Sequence, residues 1–95
     1  MEKYELVVVL DGKATSARVK AIGEKVTKLV AAFEGKVGKV EDWGKKELAY
    51  RIKKSDTGYY LLFPLELKKI SVSALSLKLK TETDIIRYLI LKTNS

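Results

Sequence analysis

The chain has 95 residues, 46% of them apolar, with 19 Lys and Arg against 12 Asp and Glu and a formal net charge of +7. That is the length of one small domain, with a single core and enough apolar material to offset the entropy of ordering it. The absence of Cys and His excludes disulfides, thiolate metal sites and imidazole acid–base chemistry, and the positive excess fits a polyanionic partner.

Residues 3–10 are rich in Val and Leu and read as a strand. Leu6, Val8 and Leu10 point one way, Val7 and Val9 the other, so both faces are apolar and the strand belongs at the centre of a sheet. The apolar run is too short for a membrane span and lacks the layout of a signal peptide, which makes a cytoplasmic protein the expectation. After Asp11-Gly12 breaks the run, Val19, Ile22, Val26, Leu29, Val30 and Phe33 recur at helical spacing over residues 16–33. Thr15 or Ser16 supplies the N-cap oxygen, and Gly35 suits the left-handed position after the last turn.

Residues 36–54 return to an extended pattern. Leu48, Tyr50 and Ile52 share one side of it, and Asp42-Trp43-Gly44 marks a bulge or bend. Residues 55–58 read as a turn into a third strand, Tyr59-Tyr60-Leu61-Leu62-Phe63, and Pro64 is expected to interrupt pairing because it lacks an N–H. Over residues 71–80, Val72, Leu75 and Leu79 fit a helix while Leu75, Leu77 and Leu79 fit a strand; helix is the expectation. Residues 85–92 form the last strand, and residues 93–95 a short polar tail. The order strand, helix, strand, strand, helix, strand predicts an α+β split βαβ sandwich. Right-handed crossovers place both helices on one face of a four-stranded antiparallel sheet, with the first and third strands central.

Two helices cover only one face of such a sheet. With Leu6, Val8, Tyr60, Leu62, Tyr88 and Ile90 under the helices, the open face is expected to show Val7, Val9, Tyr59, Leu61, Phe63, Leu89 and Leu91. An apolar patch of that size marks a protein partner. The basic residues cluster as well: residues 36–54 carry seven Lys and Arg against three acids, an arm able to follow phosphates without reading bases. The carboxylate pairs Glu41-Asp42 and Glu82-Asp84 lie beside turns or lysines and read as solvated loop charge. There is no phosphate-cradling glycine loop and no metal-ligand spacing, so neither catalysis nor a cofactor is expected. Gly58-Tyr59-Tyr60-Leu61-Leu62-Phe63 invites comparison with the third-strand motif of base-stacking RNA-binding domains, but Tyr60 stands where a small residue is needed and Leu61 where an aromatic is needed.

Tyr4-Glu5 before an apolar strand, the long run Gly35-x-Val37-x-Lys39-Val40-Glu41-Asp42-Trp43-Gly44-Lys45-Lys46-x-Leu48-Ala49-Tyr50-x-Ile52-x-Lys54, then Gly58-Tyr59-Tyr60, and finally Arg87-Tyr88-Leu89-Ile90-Leu91-Lys92 together resemble the ribosomal protein six family of the bacterial small subunit. The resemblance runs over residues 2–92. It implies a non-catalytic, ferredoxin-like protein of the cytoplasmic ribosome that binds the central domain of the small-subunit ribosomal RNA jointly with ribosomal protein eighteen, with no small-molecule substrate. Carried over by position, its RNA contacts fall on Lys3, Lys54, Arg87 and Lys92, and less strongly on Lys45 and Lys46. Arg51, where the family commonly has proline, and Pro64 depart from its pattern. The competing expectation is a ferredoxin-like regulatory or ligand-binding module that dimerises with itself through the open sheet face.

Overall fold

The computed structural model describes the backbone of residues 1–52 and 55–93 and the side chains of residues 1–47 and 57–93. In chain order the elements are β1 (Glu2–Asp11), α1 (Ser16–Ala32), β2 (Lys36–Val37), β3 (Glu41–Ile52), β4 (Ser55–Leu67), α2 (Ser71–Lys80) and β5 (Ile85–Lys92). All pairings are antiparallel, with β4 and β1 central and β5 on one outer row. β2 and β3 both pair with β4 and form a single, broken outer row on the other side. The α+β ferredoxin-like arrangement is therefore the expected one, its second strand divided in two.

The break has a local cause. Within a strand, a residue's N–H and C=O point to the same neighbour. The Pro64 carbonyl accepts from the Gly38 N–H at 2.7 Å, so the missing donor of Pro64 faces the gap between Val37 and Glu41. On its other side β4 pairs with β1 without interruption through Glu5 opposite Pro64. Pairing was expected to fail at Pro64; it fails only on the row that this residue's N–H would have served.

The helical stripe packs as its spacing predicts. Ile22, Val26 and Val30 are buried, with Val19, Leu29 and Phe33 against the same core. Thr15 caps α1, its hydroxyl accepting from the Arg18 N–H at 3.2 Å. The other end differs from expectation. Glu34, not Gly35, takes the left-handed conformation, with φ of 63°. The Gly35 N–H reaches Val30 O and the Glu34 N–H reaches Ala31 O, both at 2.9 Å, a Schellman closure. Gly35 is needed for closeness: a Cβ there would lie 2.6 Å from Glu66 O.

α2 resolves the ambiguous segment as a helix. Leu75 and Leu79 are buried, and Leu77, which a strand would have buried with them, is exposed. The turn expected at residues 55–58 is instead the start of β4. Thr57 pairs with Glu47 and Gly58 with Lys46, and the Gly12 N–H donates to Thr57 O at 3.1 Å; pairing on both sides satisfies backbone groups that a turn would leave to water. The expected alternation of Leu48, Tyr50 and Ile52 lies outside the described side chains. No helix among the described residues is long and apolar enough to cross a membrane.

Candidate docking and nucleic-acid interface

The strand registers fix which residues share the helix-free face. Four rows cross it. Arg87, Val9, Tyr60 and Gly44 form one, and Leu89, Val7, Leu62 and Glu41 the next. Leu91, Glu5 and Pro64 follow, then Lys3, Glu66 and Lys36. The two middle rows are apolar apart from Glu41 at the edge and Glu5, and the first and last rows carry the basic side chains Arg87, Lys3 and Lys36. Val9 (4% exposed) and Leu62 (5%) are shielded by their neighbours, while Leu89 (49%) and Leu91 (50%) stand in solvent. The apolar surface is therefore greatest toward β5.

Four of the seven residues expected on this face are there: Val7, Val9, Leu89 and Leu91. The other three are not. Tyr59, Leu61 and Phe63 pair with Leu10, Val8 and Leu6 and point toward the helices. Leu61 and Phe63 are core residues, and Tyr59 packs against that core. Tyr60 and Leu62, expected under the helices, take the open positions, with Pro64 beyond them. A shift of one residue exchanges every side chain of a strand between faces. The distinguishing signal is Glu66. The set 59, 61, 63, 65, 67 stays apolar to the end of β4, whereas the set 60, 62, 64, 66 ends on a carboxylate. Reading the strand as ending at Pro64 hides that difference.

The basic residues do not form one patch. Lys3 and Arg87 lie at opposite ends of the open face, the span from Lys3 to Val9 being roughly 20 Å at ~3.4 Å per residue. A shallow groove of about 570 Å3 beside Lys3 is lined also by Glu5, Lys36, Pro64 and Glu66. Lys45 and Lys46 sit on the outer row opposite Tyr59 and Gly58. Lys92 belongs to the helix-side alternation, and its ammonium donates to Glu2 Oε1 at 2.9 Å. Lys54 lies outside the described residues. The Glu2 carboxyl is held below its ordinary range, first by Lys92 and then by the Tyr4 hydroxyl, which donates at 2.8 Å.

The carboxylates singled out earlier have structural work. Glu82 pairs with Lys25 and Asp84 with Arg18, tying α1 to the loop before β5; these charges are paired and not merely solvated. Asp42 braces a bulge in β3, where pairing shifts between Asp42 and Gly44 as the sequence predicts. Its Oδ1 accepts the Gly44 N–H at 2.9 Å and its Oδ2 the Tyr59 hydroxyl at 2.6 Å. That hydrogen bond, with burial second, raises the Tyr59 hydroxyl above its ordinary value. Among the described residues no cluster of carboxylates is arranged to hold a metal.

Comparison with known proteins agrees with this geometry. A model of the ribosomal protein S6 family matches residues 3–92. The chain is 37% identical over 90 residues to the small ribosomal subunit protein bS6 of Moorella thermoacetica, covering 95% of this chain and 92% of that one. It is 35% identical over 95 residues to the bS6 of Corynebacterium aurimucosum, covering 100% and 99%. Against the bS6 of Granulibacter bethesdensis the identity is 32%, and the chain spans 60% of that relative's length. The crystal structure of 30S ribosomal protein S6 from Thermotoga maritima superposes with a TM-score of 0.89 at 24% identity, over 97% of this chain and 87% of that one, and so shares the fold. A chain matched by the family over nearly its whole length, with the family's sheet, belongs to the ribosomal protein S6 family, whose members are non-catalytic constituents of the small ribosomal subunit.

Proposed function

We propose that the chain binds the central domain of small-subunit ribosomal RNA together with ribosomal protein eighteen, working in the cytoplasmic ribosome. The observation that carries this reading is the helix-free sheet face. Its centre is apolar through Val7, Val9, Tyr60, Leu62, Leu89 and Leu91, and basic side chains stand at its two ends. An apolar centre with a charged rim is the layout of a protein-docking surface. Cations placed at its margins meet phosphates once the partner is seated, and they position the protein without reading sequence. Lys3, Arg87, Lys45, Lys46 and Lys54 are the candidates for that role. Lys92 contributes less, because Glu2 already engages it.

Retention of a central-domain RNA transcript at moderate salt, with and without the partner protein, tests the reading. Tight, salt-sensitive retention is expected only with both proteins present. Sedimentation of the free chain separates the competing self-association: a stable homodimer that refuses the partner would transfer the open face to a second copy.

A further inference from the structure

Trp43 is the chain's single tryptophan. It sits at the β3 bulge, where pairing passes from Asp42 opposite Leu61 to Gly44 opposite Tyr60, so it has no opposing residue on β4. A bulge of this kind bends the strand and re-aims the side chain it carries. The bend is held from several directions. Gly44 supplies the left-handed backbone, with φ of 75°. Asp42 clamps the Gly44 N–H and the Tyr59 hydroxyl. The indole N–H donates to Glu41 Oε1 at 3.3 Å, and the Lys46 ammonium stands over the ring, 5.6 Å from its centroid. The ring is nevertheless 43% exposed and is not part of the core.

We propose that Trp43 is a stacking platform for one unpaired RNA base, with Lys46 placed to meet the adjoining phosphate. This rests on the reading of the chain as an RNA-binding protein and adds a contact to a base to the phosphate contacts of that reading. A large aromatic ring fixed in one orientation loses little entropy when a base is laid on it, and its face accepts any base. A cation already over the ring brings positive charge to where the backbone of the stacked nucleotide runs. A base inside a duplex has both faces covered, so the platform selects a bulged, looped or single-stranded nucleotide. Both carboxylates beside Trp43 are engaged by internal donors. The arm from residue 36 to residue 54 keeps its excess of seven basic residues over three acidic ones. Trp43 stands at the outer edge of the open face, beside Glu41 and Lys46, and the lysines on this arm favour a polyanion over an apolar protein surface as its occupant.

Because Trp43 is unique, 5-fluorotryptophan carried by the full chain yields a single fluorine signal. The labelled chain is combined with unlabelled ribosomal protein eighteen and then with a central-domain RNA transcript. The expected result is a shift of the signal on addition of RNA. Trp43→Phe should then hold RNA within about two-fold of the parent, and Trp43→Leu should hold it roughly ten-fold more weakly, with circular dichroism unchanged for both. Retained RNA with an unmoved signal and equal affinities overturns the platform while leaving the RNA-binding reading intact. A shift complete on addition of the partner protein, with none on RNA, overturns it as well, by assigning the ring to a protein contact. No retention of RNA by the parent chain with its partner removes both readings together.

Discussion

Glu2, Tyr4 and Lys92 join the first and last strands at one corner of the sheet, and the direction of their titration follows from who donates to whom. Lys92 and Tyr4 both donate to the Glu2 carboxylate. The Glu2 carboxyl is lowered, chiefly by Lys92; Lys92 is raised, chiefly by Glu2; the Tyr4 hydroxyl is raised by burial first and by Glu2 second. A lowered carboxyl contributes stability above its unfolded value, ~4.3, and loses it as pH falls through the folded one. The two raised groups contribute below their unfolded values, near ~10, and lose it as pH rises through the folded ones. Thermal melts of Glu2→Gln against the parent should therefore differ most between these limits and converge at either extreme. A difference independent of pH would mean that the trio contributes packing only. The face occupied by each β4 side chain gives a second test at this scale. Phe63→Ala should cost about 3–5 kcal/mol in urea unfolding, whereas Leu89→Ala should stay within about 0.5 kcal/mol. The opposite ranking would restore Phe63 to the open face.

Among the elements, the end of α1 shows a conformation and a clearance assigned to different residues. Glu34 carries the positive φ, and Gly35 carries the close approach to Glu66 O, Leu67 and Val30. Glu34→Gly removes Cβ strain at the left-handed position and should raise stability by up to ~1 kcal/mol. Gly35→Ala drives a methyl into a strand carbonyl and should lower it by about 1–3 kcal/mol. Chemical denaturation of the two variants, one on each side of the parent, checks the division of labour. Pro64 acts in a related way. Its missing donor faces the gap in the outer row, so the broken β2–β3 row and the unbroken β1–β4 ladder are two consequences of one residue's geometry.

For the molecule as a whole, charge at the ends of an apolar sheet face makes two contributions separable. With the partner protein present, Arg87→Ala and Lys3→Ala should each weaken RNA retention and reduce its logarithmic salt slope by roughly one phosphate contact, leaving partner association unchanged. Leu89→Ser should instead weaken the partner's association and affect RNA only through it. Filter retention over a salt series, run alongside partner pull-down, distinguishes them. If the slope is the same for the parent and both charge variants, the end rows serve solubility alone.

The periodicity of α1, the order of elements, the centrality of β1 and the bulge near Trp43 were all legible in the residues, because each depends on spacing along one segment or on the needs of a single turn. The basic excess and the lack of imidazole and thiol chemistry were equally plain from composition, and the long run from Gly35 to Lys54 carried the family. The phase of β4 was misread, because the residues before Pro64 do not decide it and Glu66, which does, lies beyond the proline. Both of its alternations begin apolar, so burial preference ranks them equally over Tyr59 to Phe63. Pairing with β1 decided it, since Leu6, Val8 and Leu10 already face α1 and α2, and the residues opposite them must follow. The pairing of Lys92 with Glu2, ninety positions earlier, was likewise beyond any local pattern. Segment-internal spacing determines each element and its amphipathic character; only the meeting of distant segments determines which side chains remain for a partner.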